Sequence, residues 1–112
     1  MIERAPAALL VQRVARELFA ADGGVRSSLQ VARAVGMAER TLKRRLAEQR
    51  TSYSELLDRA RHTRALELLG SELSIEEVAE RLGYSDPANF TRAFRRWTGK
   101  SPRAVRKSAR SI

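Results

Sequence analysis

Basic residues are concentrated in two short segments of the sequence, residues 37–49 (MAERTLKRRLAEQ) and residues 89–100 (NFTRAFRRWTGK). In both segments they recur three or four positions apart, a spacing that places side chains on one face of a helix. A guanidinium has a planar fork of donors that fits paired acceptors, such as O6 and N7 of guanine or two oxygens of a phosphate. The chemistry indicated is recognition of a polyanion. The residues concerned are Arg40, Lys43, Arg44, Arg92, Arg95 and Arg96.

The overall charge agrees with that chemistry. The 112-residue chain has 22 Lys and Arg against 13 Asp and Glu, a formal net charge of +9. Such an excess favours a polyanion or an anionic membrane surface as partner. The charges of residues 7–21 are mixed in sign, which favours packing in a core over a membrane-surface helix. No apolar run approaches the roughly 20 residues that span a bilayer. We therefore expect no membrane partner and a cytoplasmic, nucleoid-associated location.

The sequence offers little for catalysis. It has no cysteine and a single histidine, His62, and it contains neither a nucleophile elbow nor a phosphate-binding glycine loop. Glu76, Glu77 and Glu80 share one predicted helix and are interpreted as a solvated acidic face, and His62 as a surface or boundary residue. We expect no enzyme, no metal site and no cofactor.

Apolar residues recur at helical spacing along almost the whole chain, and no stretch alternates with the period of a strand. This pattern predicts an all-α fold. Capping boxes at Ser27–Gln30 and Ser74–Glu77 mark two helix starts, and glycines mark several helix ends. The predicted segments are one that follows Pro6 and ends at the DGG of 22–24, then 27–35, 37–49, 54–69, 74–82 and 86–97, with a single turn after Pro102.

Two segments repeat one another, VARAVG at 31–36 and VAERLG at 78–83. Each has the pattern Val-Ala-x-x-apolar-Gly, and each is followed by a second helical stretch. The small Ala32 and Ala79 permit two helices to approach closely, while Gly36 and Gly83 supply the positive φ of a tight turn. The repeat predicts two helix-turn-helix units.

The second helix of each unit is amphipathic, so its apolar and basic residues occupy different faces. The predicted core anchors are Leu42 and Leu46 in the first unit and Phe90, Phe94 and Trp97 in the second. A helix that exposes arginines on its other face suits the major groove of DNA. Two alternatives give the same pattern: an ordinary solvated basic face, and a helical protein–protein interaction module with a non-specific basic surface.

Residues 74–106, SIEEVAERLGYSDPANFTRAFRRWTGKSPRAVR, resemble the signature of the C-terminal DNA-binding domain of AraC/XylS-type bacterial transcription regulators. The resemblance extends over about Ser28 to Lys107. It implies about seven helices in two homeodomain-like helix-turn-helix subdomains joined by a long central helix. It also implies sequence-specific binding of double-stranded DNA for transcription regulation, with two recognition helices in successive major grooves roughly 34 Å apart.

Carried over by position, the resemblance implies roles for individual residues. The base-reading residues would be Arg40, Lys43 and Arg44 in the first recognition helix and Ala88, Asn89, Thr91 and Arg92 in the second. The phosphate contacts would be Arg95, Arg96, Lys100 and Arg103. Ala88 has no polar group, so it is limited to an apolar contact such as a thymine methyl. Arg61 lies at the family's basic position in the central helix, where a structural role is favoured over a phosphate contact.

The domain organisation follows from the repeat and the resemblance. Residues 1–25 form an N-terminal helix, for which a linker origin is one interpretation. Residues 26–53 form the first helix-turn-helix subdomain, 54–70 the connecting helix, 71–107 the second subdomain and 108–112 a basic tail. RNA polymerase is a second candidate partner besides double-stranded DNA. We expect the isolated domain to be monomeric and a longer regulator with a sensing domain to be dimeric.

Overall fold

The fold is all-α, as the hydrophobic periodicity predicts. The computed structural model describes residues 5–110 and the side chains of residues 9–109. Over that range no strand occurs, and the one extended pairing is an isolated antiparallel bridge between Phe19 and Val25. The helices of the described range are α1 (Ala5–Glu17), α2 (Ser28–Ala34), α3 (Glu39–Glu48), α4 (Tyr53–Leu69), α5 (Ile75–Arg81), α6 (Pro87–Thr98) and α7 (Pro102–Arg110).

The chain divides into two compact units between Ala60 and Arg61, within α4. The division separates the two copies of the sequence repeat, so each unit contains one Val-Ala-x-x-apolar-Gly segment and the helix that follows it. The finer boundaries expected around the connecting helix stay a prediction.

The first unit is built on a core to which α1, α2, α3 and the first half of α4 all contribute. Leu18, Val31, Leu42 and Leu46 have no exposed surface. The Ser27 hydroxyl accepts the Gln30 amide hydrogen, and the Gln30 side chain accepts that of Ser27, so the predicted capping box starts α2. The core residues of this unit are Leu10, Val14, Leu18, Val31, Ala32, Val35, Leu42, Leu46, Leu56 and Leu57.

The end of α1 differs from the prediction. We expected the helix to continue to residues 22–24, but it ends at Glu17. After the buried Leu18, the chain folds into a tight turn in which the Ala20 amide donates to the Gly24 carbonyl at 2.7 Å. Gly23, with φ of 93°, serves that turn and does not cap the helix. The helical spacing of apolar residues does not reveal where the chain leaves α1, because the end of this helix depends on backbone hydrogen bonds across the turn that follows it.

The second unit has a smaller core formed by the second half of α4 together with α5 and α6. Phe90 and Phe94 have no exposed surface. The Asp86 carboxylate accepts the Ala88 amide hydrogen at 2.8 Å at the start of α6, and Gly99, with φ of 78°, ends this helix. The buried residues of this core are Ala65, Leu69, Val78, Ala79, Leu82, Phe90 and Phe94.

The two helix-turn-helix turns are alike at atomic detail, which confirms the repeat. Gly36 has φ of 76° and Gly83 has φ of 89°. In each unit the amide that follows this glycine donates to the carbonyl of the small alanine of the repeat, Ala32 or Ala79, at 3.0 Å. Both alanines are buried. The left-handed glycine reverses the chain, and the alanine leaves room for the next helix to pack closely.

The C-terminal helix is longer than predicted. We expected a single turn after Pro102, but α7 continues to Arg110. The Ser101 hydroxyl accepts the Ala104 amide hydrogen at 3.1 Å, and the half-buried Val105 packs against the core of the second unit. The Arg106 Nε atom donates to the Leu69 carbonyl at 3.0 Å. These long-range contacts stabilise turns that would fray in isolation.

Candidate nucleic-acid interface

α3 separates its apolar and basic residues as the sequence predicts. The spacing of Leu42 and Leu46 buries one face completely, and this burial leaves the opposite face in solvent. Arg40, Lys43 and Arg44 are all exposed on α3. They present three cationic side chains within two helical turns, which suits an anionic partner.

Two of these three cations lie near acidic side chains of the same helix. The Lys43 Nζ atom is 4.0 Å from the Glu39 carboxylate, and the Arg44 Nε atom is 4.0 Å from that of Glu48. Pairs exposed to this degree are weak and are screened by salt. Both cations can therefore exchange an acidic neighbour for a phosphate or a base at little cost. The Glu39 carboxylate also accepts from the Ser28 hydroxyl of α2.

α6 carries the second basic face. Ala88, Asn89 and Arg92 are exposed at its start, whereas Thr91 is half-buried. No acidic residue occurs between Pro87 and Thr98, so the charge of this face is not offset from within the helix. The Arg92 guanidinium donates to the Asn89 amide oxygen.

Of the four residues predicted to contact phosphates, two line a cavity and two do not. Arg95 and Arg103 line the same open cavity of about 360 Å³, where Thr91 also lies. Arg96 and Lys100 are exposed and do not line this cavity. The cavity brings two of the four predicted phosphate contacts together at the start of α7.

The core anchors are buried, except for Trp97. Leu42, Leu46, Phe90 and Phe94 have no exposed surface, whereas Trp97 is half-buried at the edge of the second core. Its ring meets the edge of Phe94 at 6.2 Å and stacks on His62 at 5.3 Å with an interplanar angle of 24°. His62, interpreted from the sequence as a surface or boundary residue, is half-buried and stacks on this ring.

Arg61 has the contacts of a structural residue. Its Nε atom donates to the Leu82 carbonyl at 2.8 Å, where α5 ends, and its guanidinium lies 4.4 Å from the centre of the Tyr84 ring. A second donor lies 3.4 Å from the Gly83 carbonyl. The guanidinium thus satisfies carbonyls that the end of a helix leaves without intrahelical partners.

Arg13 and Arg106 have the same role, and sequence reasoning missed both. Arg13 of α1 donates to the Val35 carbonyl at 3.2 Å, and Arg106 donates to the Leu69 carbonyl. The bonded residues are 22 and 37 positions apart, so local spacing gives no signal of them. The arginines of this chain therefore have two roles. Some donate hydrogen bonds to carbonyls at helix ends, and others form the exposed basic faces.

The acidic residues of α5 form a solvated face, as interpreted from the sequence. Glu76, Glu77 and Glu80 are exposed. Hydrogen bonds from the Ser74 backbone and then its side chain, followed by the charge of Arg81, lower the pKa of Glu77. A carboxylate held in its charged form suits a helix cap and not a proton donor.

Within residues 5–110, no group of three or more His, Asp or Glu side chains is arranged to hold a metal ion. No helix of the described part of the chain has both the length and the apolar character needed to cross a membrane.

Comparisons with known proteins match the same architecture. A family model described as a helix-turn-helix domain matches residues 31–108. The HTH-type transcriptional regulator VqsM of Pseudomonas aeruginosa is 42% identical over 83 residues, which cover 73% of this chain and 26% of that protein. The chain spans 26–30% of the length of the curated relatives it matches.

The solved structures similar to this fold include two crystal structures of transcription regulators. The transcriptional regulator CdpR of Pseudomonas aeruginosa has a TM-score of 0.79 at 48% identity, covering 88% of this chain and 31% of that chain. The DNA-binding domain of AdpA, a global transcriptional factor in complex with a target DNA, has a TM-score of 0.73 at 30% identity. In this second case the match covers 95% of this chain and 94% of that chain.

Proposed function

Because the chain belongs to the AraC/XylS-type family of helix-turn-helix transcription regulators, we propose that it binds double-stranded DNA sequence-specifically and so regulates transcription. The family is one of DNA-binding regulators and not an enzyme class. That this chain has no catalytic activity of its own is part of the proposal.

One observation carries the proposal: the second helix of each unit exposes a cationic face directly opposite a fully buried one. In α3 the buried residues are Leu42 and Leu46, and in α6 they are Phe90 and Phe94. Burial fixes how each helix is rotated, so the basic face of each points away from its own core. A protruding helix with exposed arginines suits the major groove, where Arg bidentate to guanine is the commonest specific contact.

The roles of individual residues are proposed on position and exposure. We assign base reading to residues 40–44 of α3 and 88–92 of α6, since the N-terminal part of a recognition helix reaches base edges. The proposed base readers are Arg40, Lys43, Arg44, Ala88, Asn89, Thr91 and Arg92. The proposed phosphate contacts are Arg95, Arg96, Lys100 and Arg103. Family resemblance supports a mode in which the two helices enter successive major grooves of one duplex.

The test is selection of duplexes from a random DNA pool by the 112-residue protein, followed by measured affinities. We expect Arg44→Ala and Arg92→Ala each to relax the preference at one base pair, at a cost of about 1–3 kcal/mol. Arg59→Ala is the matched control, because it removes the same charge from an exposed position of α4 outside both basic faces. Equal losses on selected and random DNA in both test variants would contradict base reading.

Salt dependence separates DNA binding from the alternative protein–protein module. The four proposed phosphate contacts should lower the affinity on the order of a hundred-fold between 50 and 200 mM salt. A protein–protein module predicts a weak dependence and an exposed apolar patch. Among the described side chains, the large apolar ones that are exposed are Leu9, Leu29 and Leu66, and they lie on three different helices.

Further partners belong to this proposal. A regulator bound near a promoter encounters RNA polymerase, and we propose the polymerase as a second partner. We propose that the isolated domain is monomeric, that a longer regulator is dimeric, and that the protein is found in the cytoplasm with the nucleoid. Sedimentation of the 112-residue chain tests the first of these oligomeric states, since a stable dimer would contradict it.

A further inference from the structure

Asn89 and Arg92 form a hydrogen-bonded pair on the exposed face of α6. An Arg92 terminal nitrogen donates to the Asn89 Oδ1 atom, and both side chains are exposed. The two residues are three positions apart, so they are neighbours on the helix surface. Both lie in the first half of α6, the part of a recognition helix from which side chains reach base edges.

The partner of Arg92 is a neutral amide, which distinguishes it from Lys43 and Arg44 of α3. Lys43 and Arg44 each have a carboxylate of their own helix at 4.0 Å. A carboxylate orients a cation and also offsets its charge, whereas an amide oxygen orients it without offsetting the charge. The nearby Asp86 carboxylate accepts the Ala88 amide hydrogen as the helix cap. Arg92 is therefore oriented by a neutral partner that leaves the charge of the guanidinium in place.

The bond also changes what Asn89 offers to DNA. Asparagine reads adenine by using its amide oxygen and nitrogen together against N6 and N7, and here Arg92 occupies one of the two acceptor positions of that oxygen. Arg92 loses little by the bond, because a guanidinium has five N–H donors and only part of them is used. A bidentate contact to guanine stays available to Arg92.

On the premise of the proposed function, we propose that Asn89 is a positioning residue that holds Arg92 for one guanine, and not the reader of a base of its own. This refines the role given to Asn89 above. A long side chain that is ordered before binding loses less conformational freedom when it enters the groove. The smaller entropic cost strengthens the contact between Arg92 and its base. Asn89 therefore contributes to specificity at the base pair that Arg92 contacts.

The test is a double-mutant cycle on a duplex selected by the wild-type 112-residue protein and on its single-base-pair variants. We expect Arg92→Ala to abolish the preference for one G·C pair. Asn89→Ala should lower the preference at that same pair by roughly 2- to 10-fold and should have no further effect in the Arg92→Ala background. Asn89→Asp is the matched control, since it keeps the acceptor oxygen and should keep the preference while the added negative charge weakens binding to all duplexes.

Thermal unfolding of each variant shows whether the comparison concerns folded protein, and Asn89 is exposed, so we expect unchanged melting. The inference is overturned if Asn89→Ala changes the preference at a different base pair, if its loss adds to that of Arg92→Ala, or if it changes nothing. Each of these results leaves the proposed function intact. A wild-type protein without sequence preference would overturn both, whereas an Arg92→Ala variant that keeps every preference would overturn the inference and the base-reading role of Arg92 alone.

Discussion

Replacement of Arg61 by alanine should destabilise the second unit without changing its contacts to DNA. The substitution removes the hydrogen bond to the Leu82 carbonyl and the contact with the Tyr84 ring. Leu82 has no exposed surface, so its carbonyl has little access to water as a replacement partner. A hydrogen bond from a charged donor contributes about 1.5–3 kcal/mol and a largely exposed cation–π contact about 0.5–1 kcal/mol. Because Arg61 is only half-buried, we expect a total loss of about 2–3 kcal/mol.

The assay is urea unfolding followed by tryptophan fluorescence. Trp97 is the only tryptophan of the chain and lies in the second unit, so its emission reports that unit. The wild-type protein and Arg61→Lys are the controls, since lysine keeps the charge but lacks the planar fork that bonds a carbonyl and stacks on a ring. We expect Arg61→Lys to lose less stability than Arg61→Ala.

DNA binding by the same variants decides between the structural role of Arg61 and a phosphate contact. A structural residue leaves the salt dependence of the affinity unchanged when the variant is folded. A phosphate contact would instead reduce the salt slope by about one. A variant with wild-type stability, within about 0.5 kcal/mol, and a reduced slope would refute the structural reasoning.

Three further substitutions test the packing and the caps. Phe94→Ala should cost about 3–5 kcal/mol in unfolding free energy, and Trp97→Ala should cost less because Trp97 is only half-buried. Unfolding followed by circular dichroism measures both losses. A larger loss in Trp97→Ala than in Phe94→Ala would contradict the difference in burial between the two side chains. Ser74→Ala should lower the free energy of unfolding by about 1 kcal/mol at neutral pH, as measured by urea unfolding. An unchanged urea midpoint would show that the capping box of Ser74 and Glu77 does not stabilise α5. Because its pKa is lowered in the native state, Glu77 stabilises the fold above the usual carboxyl pKa and loses this effect as pH falls below about 4. Ser74→Ala should flatten that acid-side dependence, and Glu77→Gln should do the same.

Much of the candidate interface could be predicted from the sequence, because its elements are local. The capping boxes at Ser27 and Ser74 form between residues three positions apart, and the repeat fixes the turns at Gly36 and Gly83. The period of the apolar residues then determines which side of α3 and α6 is buried. Family resemblance added the roles of individual arginines, which remain proposals for this chain.

The sequence alone determined the helices other than the end of α1 and the length of α7, the two turns and the outward face of each second helix, since these depend on interactions within about four residues along the chain. Only the tertiary structure decided which arginines are used for helix ends. Arg13, Arg61 and Arg106 donate to carbonyls 22, 21 and 37 positions away. The physical reason is that the carbonyls left open at the end of a helix accept any donor that packing brings near, and spacing along one helix does not predict that approach. The same dependence on distant contacts explains why α7 extends well beyond one turn.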